Sequence, residues 1–440
     1  MFRILFVYIK ALVLLAFIFI APFDLYAEFY RVQVNGRDVS LNSVEEDGKI
    51  LYQFVNVPYK KGRKITLKSD VDISSLKITN KQDRVSIKYK GKNKIQIKTW
   101  GNKPIVLEGE GLMPIYIFTH SNIEESGATI VLPKGVTKGL IELKSGDALM
   151  FQEGAVLNGG IIAKGDNITI KGNGIITGDG YERFRGPCAS PISAYNCKNL
   201  LVKDILIKNT WSGAFLMSEC DSVLIDNVKV CCGNMINDDG IDVSNTRNVV
   251  IKNSFFRTHD DVFGVKGKRS GNNFPCENIT ISDCIVWVDG ANVFRIGYES
   301  TCAYMKNIYC EDLEVLHYSK SHRYPIHEWP HAIILIQSSN GILISNCRFN
   351  NIRITAQDND MYLLIARPFY SKNPETGAQY TEAGDITDIV VENVEVTGEN
   401  SSFTGPVYIQ KKEKNHSVTD VSLNNIFYFG KQITFDNNEN

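Results

Sequence analysis

The sequence predicts an all-β chain: a parallel β-helix preceded by a small N-terminal β-sandwich. The main observation is a short signature, Asn/Asp, apolar, x, apolar, x, Asn/Asp, that recurs through the second two thirds of the chain. Its copies open with the apolar residues Ile168, Leu200, Val223, Val249, Ile279, Ile308, Ile342, Ile389 and Val421. Repeats of roughly 20–50 residues indicate a stacked architecture. Within each copy apolar residues alternate with period two, so the unit is a strand with one buried face. No helical segment joins one copy to the next, and strands recurring without helices make a solenoid of parallel strands. Composition agrees, because 34 glycines against 13 prolines, with abundant Val, Ile, Tyr and Phe, favour strands broken by tight turns.

The elements follow in chain order. Residues 1–27 have the layout of a cleavable signal peptide: Arg3 and Lys10 flank the start, Ala11 to Ala21 is apolar, and Leu25-Tyr26-Ala27 ends in a small residue. The apolar run is too short for a permanent span. The expectation is a secreted or periplasmic protein with no stable membrane insertion after cleavage. Residues 28–122 read as short alternating strands, among them Tyr30 to Val34, Lys64 to Leu67, Val85 to Tyr89 and Lys94 to Lys98, with a hairpin signal at Asn35-Gly36. These predict the sandwich. Residues 123–440 form the solenoid, beginning near Ala128. Its rungs would lie ~4.8 Å apart, and asparagines at one corner would hydrogen-bond in a ladder.

Whole-chain properties exclude some classes. The 440 residues carry a net charge of −1, which argues against a nucleic-acid or anionic-membrane partner. Of the ten cysteines, Cys197, Cys220, Cys284, Cys310 and Cys347 fall beside apolar strand residues and read as core positions. Cys231, Cys232, Cys276 and Cys302 are left as bridge candidates. No Cys/His pair has metal-ligand spacing, so no metal is expected.

Two acidic segments stand out: Asn237-Asp238-Asp239-Gly240-Ile241-Asp242 and, in the next repeat, Asp260-Asp261. Single aspartates are common in turns. Clustered carboxylates repel one another, however, and a fold that gathers them does so for chemistry. The repeat places Asp239 and the Asp260-Asp261 pair after their strands on neighbouring rungs of one wall. Asp238 and Asp242 read as structural.

These motifs resemble those of two glycoside hydrolase families. The first segment resembles the Asn-Thr-Asp-Gly motif of family 28, the polygalacturonases, and Asp260-Asp261-Val262-Phe263-Gly264-Val265-Lys266 resembles its Asp-Asp block. The family's Gly-His-Gly falls where this chain has Ala291-Asn292-Val293, and no clean Arg-Ile-Lys follows. The downstream half is more similar to family 49, the dextranases and isopullulanases, through Arg295 to Ser300, Leu313 to Tyr318 and Ala366 to Tyr370. That resemblance implies a right-handed parallel β-helix behind a β-sandwich. It also implies an inverting hydrolase that uses no cofactor, with Asp260 as general acid and Asp239 and Asp261 activating the water. Three packed carboxyl groups cannot all remain ionised, which independently favours one protonated acid beside two bases.

Substrate-binding candidates are Lys266, Asn292, Arg295, Glu299 and His317. Alternation places Lys266 on the opposite face from Asp261, where a sugar contact and a salt bridge compete as readings. Asn292 stands at the family's histidine position, and Arg295 is open to a sugar hydroxyl or an ion pair. His317 belongs to a segment with Tyr318, His322, Tyr324, His327, Trp329 and His331, which reads equally as an aromatic platform or as a surface loop. The partner expected is a polysaccharide, with an α-glucan favoured over a pectic or other acidic glycan. Other readings are a polysaccharide lyase, with the aspartates holding calcium and Lys266 as base, and a non-catalytic glycan-binding β-helix.

Overall fold

In the computed structural model the described residues are 29–46, 48–121, 126–233, 235–267, 274–319, 331–357, 361–369, 382–398 and 406–433. The proposed signal peptide lies outside them, as do Lys268, Arg269, His322, Tyr324, His327, Trp329 and Tyr370. Among the described residues every regular element is a β-strand.

Residues 31–120 form two five-stranded sheets. In one, Arg31–Val34 and Lys94–Thr99 flank Arg63–Lys68 in antiparallel register. In the other, Lys49–Pro58 and Ile115–His120 run parallel at the centre. Alternate residues of the two sheets, including Val32, Val55, Ile65, Leu67, Ile97, Leu107 and Ile117, close a core between them.

From Ile130 onward the strands join one 25-stranded sheet, wound so that each rung pairs with the next. Leu200, Val223, Val249, Ile279 and Ile308 stack in register, as the repeat predicts. One copy is shifted: the partner of Ile308 is Cys347, not Ile342, and Cys347 pairs onward with Ile389 and Val421. The residue that continues the corner is Asn346, which donates to Asn307 at 2.7 Å. A longer rung before Asn346 displaced the apparent period.

Both ends of the signature are corners that need left-handed backbone. Asn199, Asn248, Asn278 and Asn307 have φ near +60°, and so do Asp204, Asn227, Asn253 and Asn351 at the second corner. Asparagine and aspartate tolerate this region where branched residues do not. Each corner side chain then bonds to the next rung, as in Asn278 to Asn248 at 2.9 Å, Asn307 to Asn278 at 2.8 Å and Asn425 to Asn393 at 2.7 Å. The interior is a continuous apolar column, and Cys197, Cys220, Cys284, Cys310 and Cys347 all lie within it. All ten cysteines are free thiols, the four bridge candidates included.

The sandwich docks on one wall of the solenoid through an aromatic cluster. Tyr52, Phe54, Tyr116 and Phe118 meet Phe255, Ile285, Trp287 and Leu316. Arg257 lies at the centre of the contact, its guanidinium 4.3 Å from the Tyr52 ring and 4.4 Å from Trp287. It donates to the Tyr116 hydroxyl at 2.8 Å and pairs with Asp289 at 2.9 Å. Buried Lys229 donates to the Thr119 carbonyl at 2.7 Å. A buried cation placed this way is satisfied only when both parts are together.

Candidate active site

The acids lie where turns enter the strands of a second wall. That wall stacks Ile192–Lys203, Phe215–Ser218, Ile241–Ser244, Phe263–Lys266, Phe294–Ile296 and Ala332–Ser338. The ladder continues one step into the turns, because Gly240 N–H donates to the Asp261 carbonyl and Val262 N–H to that of Asn292. Asp239, Asp261 and Asn292 therefore occupy one column on three successive rungs. Gly240 permits this approach, since a Cβ there would lie 2.5 Å from the Val262 carbonyl oxygen.

Lys266 ties the column together. Its Nζ lies 2.7 Å from Asp239 Oδ2, 2.9 Å from Asp242 Oδ1 and 3.7 Å from Asp261 Oδ2. The expected opposition of Lys266 and Asp261 fails because Asp261 sits on the turn, where strand alternation has not begun. Asp242, read from sequence as structural, is part of this cluster. It pairs with Gly264 on the next rung, and a Cβ at Gly264 would stand 2.2 Å from Asp242 Oδ1. The glycine leaves the space through which lysine and aspartate meet. Alternation along Asp242, Gly264 and Lys266 is the sequence signal that could have revealed the group.

Asn292 is fully buried and bridges two rungs. Its amide donates to Asp261 Oδ1 at 2.7 Å and its oxygen accepts from Ala332 N–H at 2.8 Å. Arg295 Nε lies 3.7 Å from Asp261 Oδ2, and its guanidinium stacks 4.0 Å from the Tyr298 ring. Two rungs further, Arg367 faces Gln337 and stacks on Phe369, which itself meets Tyr298 edge to face. Glu299 occupies a left-handed turn position beyond Arg295.

Asp260 is held separately. Its Oδ1 accepts from Asp261 N–H at 2.9 Å and its Oδ2 from Asn237 N–H at 3.1 Å. Buried Asp238 fixes the same turn by accepting from His259 and Asp260 N–H at 2.7 and 3.0 Å. Burial pushes Asp238 well above the usual carboxylate range, against the two backbone N–H groups that donate to it. Burial, then the charge of Asp261, raises Asp260 to about 6. Burial drives Asp239 up and Lys266 pulls it back. Burial also opposes the charge on Lys266, but Asp239, Asp242 and Asp261 outweigh it and hold the ammonium well above its ordinary range. We take Asp239 as ionised, because an ammonium 2.7 Å away stabilises the carboxylate directly. Asp260, raised to about 6, thus lies next to two carboxylates, Asp239 and Asp261, that the Lys266 ammonium reaches.

His317 is placed elsewhere. Its ring stacks on Trp287 at 4.7 Å and its Nδ1 faces the Val288 carbonyl at 3.3 Å, so it belongs to the wall that meets the sandwich. Tyr318 is buried in the solenoid core. An aromatic platform, one of the two readings of this segment, is therefore not formed by His317 and Tyr318.

Residues 152–438 match the model of glycosyl hydrolases family 28. The chain belongs to this family. Polygalacturonase-2 of Solanum lycopersicum is 24% identical over 243 residues, 52% of this chain and 49% of that protein. A polygalacturonase of Persea americana is 29% identical over 112 residues, 23% of this chain and 24% of that protein. The chain thus spans about half, or less, of the curated relatives it matches. Among solved structures, the exopolygalacturonase of Thermotoga maritima superposes with a TM-score of 0.51 at 17% identity, covering 67% of this chain and 77% of that one. The likeness shows the fold, a right-handed parallel β-helix. The family 28 match runs through the downstream segments whose sequence resembles family 49.

Proposed function

We propose that this family 28 chain hydrolyses an acidic, polygalacturonan-like glycan by direct displacement with water. The observation that carries the reading is the column of Asp239 and Asp261 beside Asp260, whose proton affinity is raised to about 6. Asp260 gives its proton to the glycosidic oxygen as the bond to the anomeric carbon breaks. Asp239 and Asp261 hold a water on the opposite side of that carbon and take its proton as the new bond forms. Paired acid and base carboxyl groups are the usual means of this reaction. Lys266 places its ammonium against both bases, and Asn292 orients Asp261 through its amide.

An acidic substrate is preferred over the α-glucan first favoured from sequence. The similarity to polygalacturonases supports this, as does the cationic flank formed by Arg295 and Arg367 beside the carboxylates. Each arginine is stacked on an aromatic ring, so a uronate carboxylate would meet preoriented guanidinium groups. Export through the N-terminal segment is part of the same proposal, since such polymers do not enter cells intact.

The test is a panel of polygalacturonan, dextran and other α-glucans, read by new reducing ends and by ultraviolet absorbance. Reducing ends from polygalacturonan without absorbance support the proposal. An unsaturated, absorbing product would establish a lyase instead, and cleavage of dextran alone would restore the α-glucan reading.

A further inference from the structure

The turn of residues 178–191 precedes strand Ile192–Lys203 and lies two rungs before the turn that holds Asp239. It presents Phe184, which is 59% exposed and has a left-handed φ of +59°. That conformation is unfavourable for a bulky residue and persists only where the surroundings impose it. Here they do. Phe184 N–H donates to the carbonyl of fully buried Trp211 at 2.7 Å, and Arg185 N–H closes onto the Glu182 carbonyl at 2.9 Å. The Trp211 indole N–H donates to the Cys188 carbonyl at 2.8 Å, so one buried residue, through its carbonyl and its indole, anchors both sides of the turn. An exposed aromatic ring is thus held rigidly outward.

Its neighbour links it to the acids. The Arg183 guanidinium stacks 4.7 Å from the Phe184 ring and donates to Asn237 Oδ1. The Asn237 N–H in turn donates to Asp260 Oδ2 at 3.1 Å. A glycan lying across the acid-bearing turns would reach Phe184 about two rungs, roughly 10 Å, from Asp239. We propose that Phe184 and Arg183 form a distal subsite for a uronic-acid unit of the same chain, its ring stacked on Phe184 and its carboxylate facing Arg183. A sugar presents an apolar C–H face that an aromatic ring covers, and a carboxylate suits a guanidinium fork. This inference rests on the acidic-glycan reading given above.

The test is Phe184→Ala, with Phe184→Trp as the rescue. Kinetics on oligogalacturonates of increasing length and on polygalacturonan should show KM rising about tenfold for long substrates, with kcat unchanged. The shortest cleaved oligomer should be unaffected, and tryptophan should restore the wild-type KM. An unchanged KM at every length, with wild-type turnover intact, overturns the subsite and leaves the catalytic proposal standing. If the wild type cleaves no acidic glycan, the catalytic proposal fails, and calorimetric titration with a long oligogalacturonate decides the subsite alone. Binding about tenfold weaker in Phe184→Ala would then support it, whereas equal or absent binding in both proteins would overturn it. The exposed side chain makes an unchanged unfolding midpoint the expected control.

Discussion

Replacing Lys266 with methionine keeps most of the side chain's length and apolar stem and removes the charge that holds the site together. In the wild type one ammonium faces three carboxylates at 2.7, 2.9 and 3.7 Å. The lysine side chain is only 19% exposed and that of Asp239 10%, so solvent screens the contact little. A single pair at the shortest distance is attracted by about 6 kcal/mol at an effective dielectric of 20. Much of that offsets desolvation, and breaking a buried pair from one side has a net cost of about 3–5 kcal/mol. We therefore expect Lys266→Met to lose about 3–5 kcal/mol of stability at pH 7.5. The loss should depend on pH with a definite sign. Without the ammonium, Asp239 is pushed further up by burial, so its folded pKa lies above the unfolded value near 3.9. A group raised in this way gains stability as pH falls through its folded pKa. Urea unfolding of both proteins at pH 7.5 and at pH 4.5 should show the gap narrowing by at least about 1.4 kcal/mol, one pKa unit, at the lower pH. The variant should also lose activity at neutral pH, since one base carries a proton. A gap independent of pH, or full activity at pH 7.5, would refute the role given to Lys266.

Asp260→Asn should reduce kcat on a cleaved glycan by about 10²–10⁴-fold; its amide offers one oxygen to the Asp261 and Asn237 N–H groups that now use two, so stability should also fall by about 1–3 kcal/mol. In the wild type, kcat/KM should fall as pH rises through about 6, where Asp260 loses its proton. A pH profile flat from 5 to 8 would contradict that assignment. Asn292→Ala leaves a buried Asp261 oxygen and the Ala332 N–H unpartnered, and should cost about 1–3 kcal/mol for each, together with a fall in kcat rather than a rise in KM. At the corner ladder, Asn278→Ala puts alanine at φ +57° and should lower stability by about 1–2 kcal/mol with activity retained. Denaturant titration and a kinetic assay separate these last two.

The architecture was legible because its physics is local. A residue at a solenoid corner must adopt left-handed φ and bond to the next rung, and asparagine does both, so the signature shows directly in the sequence. The one misplaced copy, at Ile342, shows the limit: insertions between rungs leave the motif intact and shift its apparent phase, and only pairing with Ile308 identifies Cys347 as the true position. The acids Asp239, Asp260 and Asp261 stand out in sequence because they crowd into two adjacent repeats, and the structure sets Asp239 and Asp261 in one column beside Asp260. Asp242 was missed because its partner, Lys266, is reached across Gly264 on another rung. Arg367 and Phe184 went unassigned as site residues for the same reason. Each acts from a rung or turn whose distance in sequence says nothing of its distance in space, and His317 was misplaced by the converse error, nearness in sequence to aromatic residues.

The wall that receives the sandwich also determines how rigidly the acid is held. Strand Phe255–Thr258 sends Phe255 and Arg257 into the aromatic cluster with Tyr52, Tyr116 and Trp287. Its last residue, Thr258, donates from its hydroxyl to the Asp260 carbonyl at 2.7 Å, and the chain then turns through His259 into Asp260 and Asp261. The docked strand and the turn that carries Asp260 and Asp261 are therefore one continuous segment. Arg257 is satisfied by Asp289 below and by the sandwich above, so separating the sandwich would expose its cation and release the strand from which the turn departs. A general acid must meet its leaving oxygen within a few tenths of an ångström to be effective. The N-terminal sandwich therefore belongs to the structure that fixes the position of Asp260.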